Sequence, residues 1–271
     1  MTKAHAGRWR VEPGAKVHLG KIDTRSTDGA PGDKAATQPA VEDLHATLAG
    51  LQERLYAEGE QSLLVVLQAI DAGGKDGTIK HVFNGFNPAG SRVVSFKVPS
   101  EEERSHDFLW RVHAKAPAKG EVVVFNRSHY EDVLVVRVHD LVPDDVWRPR
   151  YDFINDFEAN LAASGTRIVK LYLHISKEEQ AERFRARLDD PTKRWKFRKG
   201  DLEERARWDD YVAAFEEAIG RTSTDAAPWY VVPADRKWYR NWAVSRILAE
   251  TLEAMDPQYP PAEDLTGVIV T

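Results

Sequence analysis

The chain has 271 residues, 42% of them hydrophobic and 30% charged, which is material for one large α/β domain or two small ones and excludes a disordered or collagen-like chain. It contains no cysteine, so disulfides and thiolate metal sites are excluded and a cytoplasmic protein is expected. The net charge of −5, from 38 Lys and Arg against 43 Asp and Glu, offers no overall positive field for a nucleic-acid backbone. The longest apolar run, Leu63 to Leu67, is too short for a membrane span, and the first residues lack the apolar core of a secretory signal. No membrane and no nucleic-acid partner is expected.

Residues 1–40 are rich in Gly, Pro, Thr and charge, and they predict an extended N-terminal arm. After Pro39, Leu44, Leu48, Leu51 and Leu55 recur at helical spacing and predict an amphipathic helix ending near Gly59. A buried strand is predicted from Ser62 to Ile70, followed at once by the sequence Asp-Ala-Gly-Gly-Lys-Asp-Gly at 71–77. A helix over Thr78 to Phe83, a turn at 85–91 and a second strand from Val93 to Val98 come next. Ser100 is placed to cap a helix whose first turn is acidic and which runs to about Ala114. A third strand, Glu121 to Phe125, ends in Asn-Arg-Ser-His-Tyr, and a helix from about 144–150 to Ala163 follows it. Thr166 to Ile175 and Trp229 to Val232 predict two further strands. Charged helices around 177–190 and 201–219 lie between them, and a last helix carries Val244, Ile247, Leu248 and Leu252. Short apolar strands alternating with helices predict a three-layer α/β domain over 41–255, with a mostly parallel sheet and a C-terminal tail at 256–271.

In such sheets ligands bind beyond the carboxyl ends of the strands. Asp71 to Lys75, Pro99 to Ser100 and Asn126 to Arg127 all follow strands. A glycine loop that leaves a strand and opens a helix presents backbone N–H groups to an anion, so Ala72, Gly73, Gly74, Lys75, Asp76 and Gly77 are candidate phosphate-binding residues. Two positions depart from the Walker A pattern: Ala69 stands for its first glycine, and Asp76 for the hydroxyl after the lysine. A carboxylate beside a polyanion calls for a divalent cation between them, so Asp71 predicts Mg²⁺, with Mn²⁺ as an alternative. Asn126 occupies the position of a second acid, where an amide can ligate the metal or hold a bound water. Arg183, Arg185, Arg187, Lys193, Arg194, Lys196, Arg198 and Lys199 place eight cations within 17 residues. The five histidines at 81, 106, 113, 129 and 139 show no metal-ligand spacing.

Taken in order, Asp-Ala-Gly-Gly-Lys-Asp-Gly (71–77), Pro-Ser-Glu-Glu-Glu (99–103), Phe-Asn-Arg-Ser-His-Tyr-Glu-Asp (125–132), the helix from Ser176 to Arg187, Asp-Asp-Pro-Thr-Lys-Arg-Trp-Lys (189–196) and Trp-Asp-Asp-Tyr (208–211) resemble the polyphosphate kinase 2 family. The resemblance implies a P-loop kinase core with a helical lid at about 177–200, magnesium dependence, and phosphoryl transfer between inorganic polyphosphate and a nucleotide. Asn126 in place of the Asp that many members carry implies the group acting on nucleoside mono- and diphosphates. A homo-oligomer is also expected.

Phosphoryl transfer asks the protein mainly to hold donor and acceptor in line and to offset charge. Asp71, Lys75, Arg127, Arg183 and Arg187 are therefore the expected catalytic set, with Asp71 and Asn126 at the metal. Lys193 and Arg194 are expected on the phosphate chain, and Asn87 and Glu131 at the nucleotide. Arg183 and Arg187 share a helix face, with Phe184 and Leu188 beside them as anchors. Two other functions fit parts of the pattern: an ATP-dependent nucleoside monophosphate kinase of the same fold, and a nucleotide-gated binding module.

Overall fold

The computed structural model describes residues 6–264, 266 and 268–270. Its strands are β1 (Arg10–Val11), β2 (Ser62–Gln68), β3 (Ser91–Ser95), β4 (Val122–Asn126), β5 (Thr166–His174) and β6 (Trp229–Pro233). Its helices are α1 (Lys34–Glu58), α2 (Lys75–Val82), α3 (Glu101–Ser105), α4 (Trp110–His113), α5 (Val135–Val138), α6 (Asp144–Trp147), α7 (Arg150–Ala163), α8 (Lys177–Asp189), α9 (Gly200–Ala206), α10 (Trp208–Thr222) and α11 (Lys237–Met255).

The six strands form one sheet in the order β1-β6-β5-β2-β4-β3. Strands β2 to β6 run parallel, and β1 lies antiparallel on β6. All seven residues of β2 are buried, as are all five of β6, because helices cover both faces; this is why residues 63–67 and 229–232 read as unbroken apolar runs. On the β6 side the core is aromatic: the Trp9 ring meets Trp242 and Tyr239 edge-on, at centroid separations of 5.6 and 6.3 Å.

Several boundaries differ from those the sequence predicts. The first helix starts at Lys34, because the Asp33 carboxylate accepts from Ala36 N at 2.9 Å and caps it; Pro39 lies inside the helix. The N-terminal segment supplies the edge strand β1, too short to show any period and held by Trp9 packing. The expected 101–114 helix is two pieces. Ser100 and Glu103 form a reciprocal capping box at the start of α3, the backbone extends at His106, and Asp107 Oδ1 accepts from Leu109 N just before α4. Likewise the 201–219 helix breaks at Arg207 into α9 and α10. Strand β3 is an edge strand that ends at Ser95, and Val98 beyond it is exposed. Among the described residues no helix is long and apolar enough to cross a membrane.

Candidate active site

The carboxyl ends of β2, β4, β5 and β6 deliver residues 71–77, 126–131, 176–183 and 234–240 to one region. At the end of β2 the chain turns tightly, with Gly73 N donating to Ile70 O at 2.9 Å. Only glycine fits at 73: a Cβ there would stand 2.3 Å from the Ala69 Cβ and 2.8 Å from the Ile70 carbonyl. Gly74 has φ of +104°, and even Ala72 is left-handed at +60°. For a residue with a side chain, as at Ala72, such backbone costs about 1–3 kcal/mol and persists only where surrounding contacts enforce it. Lys75 opens α2, and its Nζ donates to the Ala69 carbonyl at 2.8 Å, folded over the loop it follows. Burial, and then the nearby Arg127, pull its ammonium pKa down to about 8, against Asp71, Glu131 and Asp76.

Arg127 leaves β4 in the same strained conformation, with φ of +63°. Its Nη2 donates to Asp71 Oδ1 at 2.9 Å, and its Nη1 lies 3.7 Å from Glu131. Burial is the largest single influence on the Arg127 pKa and acts downward, but Glu131 and Asp71 outweigh it and raise the pKa. Asn126 Nδ2 donates to Asp76 Oδ1 at 3.0 Å, joining the end of β4 to the start of α2. The site therefore brings Asp71, Lys75, Asp76, Asn126, Arg127 and Glu131 together. Directly behind it, His129 and Tyr130 enter the core and meet Glu158, which also pairs with the buried Lys170.

Helix α8 covers the loop from the other side. Arg183 is buried, pairs with Glu179 at 2.7 Å, and donates to the Ala72 carbonyl at 2.8 Å and the Ala234 carbonyl at 2.5 Å. It thus ties the glycine loop to the end of β6. Its helix neighbour Gln180 donates to the Asp71 carbonyl at 2.9 Å, a tie the sequence reading missed. Arg187 instead donates to the Lys196 carbonyl at 3.2 Å. Lys193 is paired with Asp190, and Arg194 Nε donates to the Leu188 carbonyl. These three organise the 190–199 segment and do not touch the loop. From that segment Lys196 reaches the loop, 3.7 Å from Asp76. Phe184 anchors α8, edge-on to Phe197, but Leu188 is exposed and anchors nothing.

Asn87 is a clear correction. Its Oδ1 accepts from Ala89 N within its own turn, just before β3 begins opposite Val122. That is the amino end of the sheet, opposite the glycine loop, so Asn87 shapes a turn and does not face the site. Arg240, which the sequence reading passed over, packs against Gly74 and Gly77. Its signal was available: Arg236, Lys237 and Arg240 put cations at a helix start, where acids are favoured.

A family model for polyphosphate kinase 2 matches residues 32–260. The chain belongs to the polyphosphate kinase 2 family. It is 57% identical over 263 residues to the AMP/ADP-polyphosphate phosphotransferase of Meiothermus ruber, covering 97% of this chain and 98% of that one. It is 45% identical to the ADP-polyphosphate phosphotransferase of Rhodopseudomonas palustris, covering 95% and 93%. The crystal structure of polyphosphate kinase 2 from Arthrobacter aurescens TC1 superposes with a TM-score of 0.93 at 46% identity, covering 96% of this chain and 93% of that one. The mostly parallel sheet and the glycine loop are thus those of a P-loop kinase fold.

Proposed function

We infer that this chain is a polyphosphate:nucleotide phosphotransferase, moving a phosphoryl group between inorganic polyphosphate and AMP or ADP. The carrying observation is the convergence of the glycine loop, Lys75 and the Asp71–Arg127 pair at the carboxyl end of the sheet, in a chain 57% identical to an AMP/ADP-polyphosphate phosphotransferase.

In this reading the loop amides and the α2 N-terminus hold the phosphates at the transfer point, and Lys75 gives up its contact with the Ala69 carbonyl to meet them. Arg127, left-handed and fixed between Asp71 and Glu131, aims its guanidinium at the transferring group, where little charge reorganisation is then needed. Both carboxylates are held ready beside cations that an incoming polyanion would otherwise take from them.

The donor set fits magnesium. The site offers hard oxygens from Asp71, Asp76 and the Asn126 amide. Mg²⁺ suits such a site because it takes one or two carboxylates with phosphate oxygens and keeps several waters. Asp71 and Asn126 would hold it, and it would offset charge on the phosphate oxygens. Cytoplasmic location fits the absence of cysteine, and self-assembly belongs to the same proposal.

The test is purified protein with polyphosphate, Mg²⁺ and either AMP or ADP, followed for nucleoside di- and triphosphate. Products from both acceptors are expected, along with loss of turnover on chelation and a light-scattering mass above one chain. Turnover with ATP as donor and none with polyphosphate would overturn the reading in favour of an ordinary nucleoside monophosphate kinase.

A further inference from the structure

The first turn of α11 carries Lys237 and Arg240, follows Arg236 and holds no acid, although the positive end of a helix repels cations. Arg240 is only 2% exposed. Its Nε and Nη2 both donate to Asn241 Oδ1, at 3.2 and 2.8 Å, and among the described residues it meets no carboxylate and Nη1 has no acceptor. The nearest acid in sequence, Asp235, is committed elsewhere: Oδ1 accepts from Ser176 N, and Oδ2 from the hydroxyls of Ser176 and Thr24. A buried guanidinium without an anion is costly. Burial, and then Arg183, pull its pKa down to about 9, which leaves it charged at neutral pH.

The position of this cation gives the cost a purpose. A Cβ on Gly74 would fall 2.1 Å from Arg240 Nη1 and 3.3 Å from Arg183 Nη1, so two guanidiniums lie over one glycine of the phosphate loop. Arg183 has Glu179 as its ion-pair partner, and among the described residues Arg240 has no carboxylate partner. Beside them opens a cleft of about 550 Å³ lined by Lys34, His45, His81, Lys237, Trp238 and Asn241. The two acids at its wall, Glu179 and Asp235, are already engaged, while Lys34 and Lys237 have no ion-pair partner among the described residues.

We propose that Arg240 is a further substrate-binding residue: with Arg183 it seats one phosphate of the polyphosphate donor over Gly74, and the chain continues from there into the cleft between α1 and α11. This rests on the polyphosphate reading above. Two guanidiniums match the oxygens of a phosphate, and the cleft lysines Lys34 and Lys237 continue the run of cations.

Arg240→Met, Arg240→Lys and the exposed-site variant Lys237→Ala are compared with wild type by steady-state kinetics, varying polyphosphate and AMP separately, with folding checked by circular dichroism. Arg240→Met should raise the KM for polyphosphate roughly 10- to 100-fold, the range expected for losing a charge-assisted hydrogen bond, and shift the KM for AMP less than twofold. Arg240→Lys should recover part of that loss. Lys237→Ala should raise the KM for long-chain polyphosphate and leave that for tripolyphosphate unchanged. An unmoved polyphosphate KM in Arg240→Met, or a rise in the AMP KM instead, overturns the proposal while wild-type use of polyphosphate keeps the functional reading intact. Should Arg240→Met fail to fold, Lys237→Ala decides alone, and an unaltered long-chain KM overturns the proposal. A wild-type protein that ignores polyphosphate sinks both.

Discussion

Glu158→Gln tests how the turn that carries Arg127 is held. Lys170 Nζ lies 2.5 Å from Glu158 Oε2, 2.9 Å from the Tyr130 hydroxyl and 2.6 Å from the Thr222 carbonyl, and both members of the pair are fully buried. Glu158 Oε1 accepts from the Tyr130 hydroxyl at 2.9 Å and meets His129 Nε2 at 3.2 Å, so one carboxylate fixes the two residues that follow Ser128. Glutamine keeps the shape and removes the charge. Breaking a buried pair on one side typically costs about 3–5 kcal/mol, because the remaining ion has no counter-charge. Lysine has an escape, which sets a ceiling: releasing its proton at pH 7 against a reference pKa of 10.5 costs about 5 kcal/mol. For 271 residues the unfolding entropy is about 0.6 kcal/mol/K, so the melting temperature should fall by about 5–9 °C. The sign of the pH dependence follows from the same group. In the variant, Lys170 has a folded pKa far below its unfolded value, so the unfolded chain binds the extra proton and stability rises with pH, by up to about 1.4 kcal/mol per unit between pH 7 and 9. Thermal melts followed by circular dichroism at both pH values measure this. A loss below about 2 °C, or a deficit equal at pH 7 and pH 9, would refute the buried-ion account.

With the Lys75 pKa at about 8, kcat/KM should decline as pH rises through that value, since the charge that meets the phosphates is lost; Lys75→Arg, charged throughout, should flatten the decline if it turns over at all. Stability should move the opposite way, because the unfolded lysine keeps its proton to about 10.5 and the folded protein gains between about pH 8 and 10.5. Paired pH profiles of rate and melting temperature check both signs. Gly73→Ala forces a methyl to within 2.3 Å of the Ala69 Cβ and 2.8 Å of a backbone carbonyl, a strain of about 1–3 kcal/mol. Its melting point should drop by about 2–5 °C and its turnover should collapse; a variant with normal turnover would show that the loop does not need this close approach.

The sequence determined the frame of this protein because that frame rests on local signals. The short apolar runs at 63–67 and 229–232, bounded by polar residues and turn signals, read as strands buried on both faces, and a glycine loop between such a strand and a helix lies at the sheet's carboxyl edge. Ser100 with Glu103 announces a helix start from four residues alone. Asp71, Lys75 and Arg127 were legible for the same reason, each lying in the segment that directly follows a strand. What tertiary structure decided is everything set by chain segments far apart in sequence. Neither the two-residue edge strand under Trp9 nor the placing of Asn87 at the far edge of the sheet has a local signature. The same holds for the division of the 183–199 cations: Arg183 is clamped to the Ala72 and Ala234 carbonyls and Lys196 reaches Asp76, while Lys193 and Arg194 bond within their own segment. Arg240 is the sharpest case. Its charge was visible at a helix start, but its lack of a carboxylate partner among the described residues depends on Ser176 and Thr24 having claimed Asp235, and those three residues meet only when the chain is folded.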